Sequence, residues 1–306
     1  MAASGNKQYS WLDGKFIAAD SANVQILTHS LQYASGVFDG LRAYKTAKGT
    51  AVFRLNEHIA RLFNSAKIYD IEIPYTAKEL AQATLSLIKR NNLESCYIRP
   101  FVFYNDNKIG LSPIGKKVSV FIAAVPFGAY FASGKEKGIS CRISSWRRIN
   151  SSIMPPEAKA SGNYANSILA NVEARKAGAD EAIMLSIDGS VAEGSAENIF
   201  LVQDGKLVTP SKDSDILQGI TRDSILKIAQ NMGLETEQRK VHAEELYTSQ
   251  ELFFTGTASE VTSIIKVDSK KIGSGKPGPI TKMLAEKYSE VVLGSDTEFG
   301  GWLTYL

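Results

Sequence analysis

The sequence predicts an α+β protein of two domains, and three observations carry that prediction. Short apolar runs broken by Asp-Gly pairs, at Asp13-Gly14, Asp188-Gly189 and Asp204-Gly205, read as strands joined by tight turns. Other stretches, such as NEHIARLFNSAKIYD and AKELAQATLSLIKRNN, repeat apolar residues at helical spacing. The segment FGAYFASGKEKG, residues 127–138, is small, polar and glycine-bearing, and as a linker it divides residues 1–126 from 139–306.

A chain of 306 residues has ample material for two cores, and its 44% hydrophobic and 22% charged residues are those of an ordinary globular protein. A net charge of +3, spread over 35 basic and 32 acidic residues, offers no concentrated basic face for nucleic acid. The N-terminal MAASGNKQYSWLDG lacks the apolar core of a signal peptide, and no later stretch reaches membrane-spanning length, so a cytoplasmic location is expected. Cys96 and Cys141 form no CxxC pair, and His29, His58 and His242 are too few and too scattered for a metal cluster. Any hard chemistry in this chain is therefore expected to use an organic cofactor or none.

The elements follow in order. SWLDGKFI is a hairpin; strand-like runs then surround glycine breaks, with Tyr33, Phe38 and Arg42 near Gly36 and Gly40. Asn56 is expected to cap a helix whose apolar stripe is Ile59, Leu62, Phe63 and Ala66, with Arg61 projecting from nearly the opposite side. In the strand CYIRPFVFY, alternation places Tyr97, Arg99 and Phe101 on one face and Ile98, Pro100 and Val102 on the other. An arginine in so apolar a strand needs an anionic partner or an open cleft, and both stay open here. VSVFIAAV is a buried strand ending at Pro126.

In the second half, Pro155 and Pro156 keep the chain extended, so Lys159 enters from outside any helix. Ser161 or Asn163 caps the helix that follows, along which Tyr164, Ile168 and Val172 recur until Gly178. A lysine among small residues at such a break is either a solvated surface group or a desolvated amine able to act as a nucleophile. Glu193 falls in the break VAEGSAEN; Gly219 then frees a turn before a helix capped by Thr221 or Asp223, an anion-attracting terminus. ELFFTG and EVTSIIKVD are strands about a Gly256-Thr257-Ala258 turn, and PITKMLAEKYSEVV is a closing helix.

Seven segments, GVFDGLRAY, FRLNEHIARLFNSAKIY, YIRP, EAKASGNY, EGSAENIF, GITRDSI and FFTGTASEV, stand in the order found in the fold type IV pyridoxal-phosphate enzymes. Among these the chain most resembles the branched-chain amino acid aminotransferases. The resemblance implies a smaller N-terminal α/β domain and a larger C-terminal pseudo-barrel domain. It further implies that Lys159 forms the Schiff base with pyridoxal 5'-phosphate, that Glu193 faces the pyridine nitrogen and Tyr164 the phenolic oxygen, and that Arg61, Ile220, Thr221 and Thr257 hold the phosphate. By the same resemblance the side-chain pocket matches Tyr33, Phe38, Gly40, Arg99, Phe127 and Tyr130, and the α-carboxylate meets Tyr97 with the Thr257-Ala258 turn.

The implied activity is transamination between leucine, isoleucine or valine and 2-oxoglutarate, with small-molecule substrates as partners and a homodimer or larger homo-oligomer completing its pockets across the interface. Ile109 and Leu111 are the residues expected to reach a neighbouring subunit. Phe127 stands where some members carry tryptophan. The competing readings are a D-amino acid or (R)-amine transaminase, an aminodeoxychorismate-type lyase, and a binding protein without catalysis.

Overall fold

Asp13-Gly14 turns the chain where the sequence predicts. In the computed structural model, which describes residues 8–128 and 137–306, the two residues take φ of 44° and 84°. They join β1 (Tyr9–Leu12) to β2 (Lys15–Ala18), with Leu12 opposite Lys15. Positive φ at both central positions matches the twist of the flanking strands, and aspartate and glycine adopt it at least cost.

The chain divides into two units. One holds the residues up to Phe127 together with Ala158–Gly162 and Val292–Leu306; the other holds Gly128–Glu157 and Asn163–Val291. The segment bearing Lys159 thus groups with the N-terminal residues. Tyr130 and most of the expected 127–138 linker lie outside the described residues.

The first unit continues through α1 (His29–Tyr33), β3 (Gly36–Phe38), β4 (Leu41–Thr46), β5 (Gly49–Phe53), α2 (Leu55–Ile68), α3 (Ala77–Arg90), β6 (Cys96–Tyr104) and β7 (Val118–Val125). Its sheet runs in the order Leu303–Tyr305, β5, β4, β6, β7, β1, β2, with β3 also paired to β6. Leu62, Leu80 and Leu87 of the two helices pack with Leu41, Ile98 and Ile122 of the sheet, all fully buried. Each such side chain contributes roughly 1.5–3 kcal/mol of burial. Asn56 does not cap α2: the helix begins at Leu55, and the capping position is Arg54, in the left-handed region, whose side chain makes no capping bond but donates from Nε to Glu57 Oε1 at 2.8 Å. The Arg54 guanidinium lies over the Trp302 ring at 4.9 Å. By contrast α3 carries a full capping box between Thr76 and Glu79, a reciprocal pair that satisfies two orphan donors.

The second unit comprises β8 (Ile139–Ile143), α4 (Asn163–Lys176), β9 (Glu181–Leu185), β10 (Val191–Gly194), β11 (Asn198–Gln203), β12 (Lys206–Pro210), α5 (Ile220–Asn231), β13 (Thr236–Arg239), α6 (Glu245–Thr248), β14 (Glu251–Gly256), β15 (Glu260–Val267), β16 (Lys270–Lys271) and α7 (Pro279–Val292). The sheet order is β10, β9, β8, β15, β14, β11, β12, β13, with β16 on β15. Asp204-Gly205 is a second two-residue turn with both φ positive. Asp188-Gly189 instead lies inside a longer loop, where the Gly189 N–H donates to Ser186 O and Asp188 accepts from Ser190. The stripe expected on α4 faces the other way. Ile168 and Val172 are 60% and 42% exposed, because the helix is buried through Ala170 and Ala174, beside Ala182 and Met184 of β9. Among the described residues no helix is long and apolar enough to cross a membrane.

Candidate active site

Lys159 is held by its backbone. The Phe38 N–H donates to Lys159 O at 3.0 Å and the Ser161 N–H to Gly36 O at 2.9 Å, so residues 159–161 run beside β3. From the helix side, the Lys159 N–H donates to Ser65 Oγ at 2.9 Å. Ala158 and Ala160, on either side of the lysine, are 2% and 1% exposed, and its Nζ lies 5.2 Å from the Phe38 ring centroid. Lys159 itself is half-buried and lies outside any helix, its backbone tied to β3 on one side and to α2 on the other.

Next to Phe38, Asp39 is fully buried. Arg61 grips its carboxylate with Nε–H donating to Oδ2 at 2.8 Å and Nη2–H to Oδ1 at 2.7 Å. His58 Nδ1–H donates to Oδ1 at 2.7 Å, and the Gly40 N–H to the same oxygen at 2.7 Å. Burial by itself raises the Asp39 carboxyl, but the Arg61 charge and the hydrogen bonds from Arg61 and His58 outweigh it and hold the group well below the usual carboxylate range. Burial lowers His58, and the nearby charges of Arg61 and Lys159 add to that against Asp39, so its imidazole is neutral near pH 7. His58, Arg61 and Ser65 recur at helical spacing on α2, which brings all three to one face.

An aromatic wall adjoins them. The Arg99 guanidinium lies 4.5 Å over the Phe38 ring and 5.3 Å from that of Tyr97, and Nη2–H donates to Tyr97 Oη at 3.0 Å. Tyr97 in turn meets Phe127 at 5.2 Å between centroids. Arg99 is exposed and, among the described residues, forms no ion pair, so its charge is not buried. Gly40 makes room for this wall, since a Cβ there would lie 2.0 Å from Tyr97 Oη. Tyr33 makes other contacts within the chain: its ring packs on His29 at 4.7 Å and its hydroxyl accepts from the Gly110 N–H.

In the second unit Glu193 is 5% exposed on β10, at a register shift that re-aims the strand. Its Oε2 accepts from Asn198 Nδ2 at 3.0 Å and from the Leu217 N–H at 3.1 Å, while Arg148 Nε stands 2.9 Å from Oε1. Asn198 Nδ2 also donates to Leu217 O. Helix α5 starts just beyond, and its capping residue is Gly219, not Thr221 or Asp223. Glycine is needed there because a Cβ would lie 2.0 Å from Asn198 Oδ1. With no side chain to cap it, the helix presents Ile220 and the 3% exposed Thr221 at a terminus that favours anions. Thr257 and Ala258 are half-exposed in the loop joining β14 to β15, whose Gly256 pairs with Glu260, and Tyr164 stands in the first turn of α4.

The sequence of residues 36–267 matches the model of the family "Amino-transferase class IV". The chain belongs to the class IV aminotransferases. The aminotransferase is 46% identical to the branched-chain-amino-acid aminotransferase of Pseudomonas aeruginosa over 96% of each chain. It is similar to the solved branched-chain aminotransferase of Thermoproteus uzoniensis with norvaline (TM-score 0.93, 44% identity, 98% and 99% of the two chains). It is also similar to the solved T.th. branched-chain amino acid aminotransferase complexed with N-(5'-phosphopyridoxyl)-L-glutamate (TM-score 0.94, 43% identity, 98% of both chains).

The donor set of this aminotransferase fits such a cofactor. In the first unit a half-buried primary amine suits an aldehyde and a locked guanidinium a phosphate; in the second an uncapped helix start suits a phosphate and a buried carboxylate a ring nitrogen. Sequence reasoning missed Asp39, His58, Ser65, Asn198 and Arg148. The first three had a signal in the helical spacing 58, 61, 65 facing the lone acid of GVFDGLR; Arg148 had none.

Proposed function

We propose that the protein is a pyridoxal-phosphate-dependent branched-chain-amino-acid aminotransferase that exchanges the amino group of leucine, isoleucine or valine with 2-oxoglutarate. The observation that carries this reading is the wall of Phe38, Tyr97 and Phe127 bearing the exposed Arg99 guanidinium. Aromatic faces suit branched apolar side chains, and a guanidinium without an acidic partner suits the distal carboxylate of glutamate. The names of the relatives, one complexed with a phosphopyridoxyl-glutamate, support the same reading and disfavour the D-amino acid, amine and lyase alternatives.

When bound, the cofactor supplies the electron sink that stabilises a carbanion at the substrate's Cα. In this proposal Lys159 Nζ anchors the cofactor and, once released, carries the proton from Cα as general base and acid. Glu193, with Tyr164 at the phenolic oxygen, orients the ring, and Arg61, Ile220, Thr221 and Thr257 hold the phosphate. Tyr97 and the Thr257-Ala258 turn receive the α-carboxylate; Phe38, Gly40, Arg99 and Phe127, with Tyr33 and Tyr130, shape the side-chain pocket.

A homo-oligomer belongs to the same proposal, supported by the exposed Ile26, Leu31, Ile109 and Leu111 in the first unit and Ile168 and Leu169 in the second. The loop carrying Ile109 and Leu111 is tied to α1 by the His29 ring, bonded to Leu111 O, and by the His29 N–H, which donates to Asp106 O. A cytoplasmic setting is inferred with it, in keeping with free, buried Cys96 and Cys141. The test is a spectrophotometric half-reaction: L-leucine, L-isoleucine, L-valine and L-glutamate should bleach the holoprotein's long-wavelength band, whereas bleaching confined to D-amino acids or aryl-alkyl amines would reject the assignment.

A further inference from the structure

Arg148 and Glu193 form an enclosed ion pair in the second unit, with side chains each 7% exposed. The contact is Coulombic more than directional. Nε lies 2.9 Å from Oε1 yet, with Nη1, is a buried nitrogen without a hydrogen-bond partner among the described residues. Burying a guanidinium so poorly satisfied costs several kcal/mol, and an apolar residue would serve stability better. Asn198 and the Leu217 N–H give Oε2 two donors, which orient it and favour the ionised carboxyl, and Arg148 adds a full positive charge at Oε1. Arg222 also feels Glu193, from a position where it is bonded to Pro210 O and Gln238. Asp215 is another acid within reach of the Arg148 charge.

A proton shared between Glu193 and a ring nitrogen has two resting places: nitrogen, leaving a carboxylate, or oxygen, leaving two neutral groups. Burial favours the neutral arrangement, and a cation beside the carboxylate favours the charged one. We propose that Arg148 is a positioning residue for the reaction: it keeps Glu193 ionised, so that the proton stays on the cofactor's ring nitrogen and the ring remains an effective electron sink. The proposal rests on the placement of Glu193 at that nitrogen made above. An opposite charge at this range changes such a partition by about 10- to 1,000-fold.

The experiment loads wild-type protein, E193Q, R148M, R148Q and R148K with pyridoxal phosphate labelled with nitrogen-15 in the ring and records the nitrogen chemical shift. Wild type should show a protonated nitrogen. R148M and R148Q should move the shift toward the unprotonated value and lower kcat more than they raise KM, and R148K should return most of both. R148Q keeps hydrogen-bonding groups without the charge, so it carries the test if R148M does not fold. An unchanged shift in R148M or R148Q while E193Q moves it overturns the role of Arg148 alone. An unprotonated wild-type nitrogen, or an unmoved shift in E193Q, overturns the placement of Glu193 itself.

Discussion

Arg61 closes two nitrogens of its guanidinium on the two oxygens of Asp39, at 2.8 and 2.7 Å, and the carboxylate it grips is fully buried. The pair is locked further by His58 on Oδ1. A side chain with this many partners does not wander, which is what a residue proposed to meet a phosphate requires.

Replacing Asp39 by alanine should therefore do more than loosen a loop. It leaves the mostly buried Arg61 without its counter-charge, a loss of about 3–5 kcal/mol for a broken buried pair. Chemical denaturation of the cofactor-free protein checks this; a loss below about 1 kcal/mol would mean that Arg61 finds another acid.

His58 makes a prediction in pH. Its folded-state pKa is depressed, chiefly by burial, so the unfolded chain binds a proton that the folded protein refuses. The neutral ring's contribution is complete above the unfolded value of about 6.5 and is lost as pH falls below it toward the folded value. Asp39, also depressed, adds a like loss only below about pH 3.9. Thermal unfolding between pH 7 and 5 should show a drop in Tm that shrinks in His58→Asn; an equal drop in both proteins would assign it to other groups.

Arg99→Ala should harm glutamate more than leucine. Losing a charge-assisted contact of about 1.5–3 kcal/mol corresponds to roughly 10- to 150-fold in kcat/KM. Equal losses for the two amino acids would remove Arg99 from carboxylate recognition.

Gly219→Ala isolates the support of Glu193. The backbone there, φ −70° and ψ 134°, accepts alanine, so the effect comes from the new Cβ, which would lie 2.0 Å from Asn198 Oδ1. Asn198 must swing away and Glu193 loses a donor, and about tenfold weaker cofactor binding is expected from a lost hydrogen bond to a charged group. Fluorescence titration with pyridoxal phosphate measures it; unchanged affinity would show that Glu193 is held well enough by Leu217 and Arg148.

Much of the first unit was legible because local rules govern it. Asp13-Gly14 has the chemistry of its turn, and the strand alternates buried and more open residues from Cys96 to Phe101 as CYIRPF predicts, before Val102, Phe103 and Tyr104 are all buried. Lys159 stands outside a helix, after the two prolines that keep it there. What escaped was set by partners remote in sequence. Asn56 looked like a cap, but the left-handed Arg54 under Trp302 starts the helix two residues earlier. Ile168 and Val172 looked like a core stripe, yet small residues on the opposite side of α4 pack against β9 more closely. Asp39 and Arg61 are 22 residues apart, and only the fold reveals that one exists to hold the other.

The central claim is that the amine at position 159 carries the cofactor. Reducing the holoprotein with borohydride and mapping its peptides by mass spectrometry tests that directly. A phosphopyridoxyl group on Lys159, and none in Lys159→Ala, is the predicted result; the same mass on any other lysine, or a cofactor that dialyses away after reduction, would contradict it.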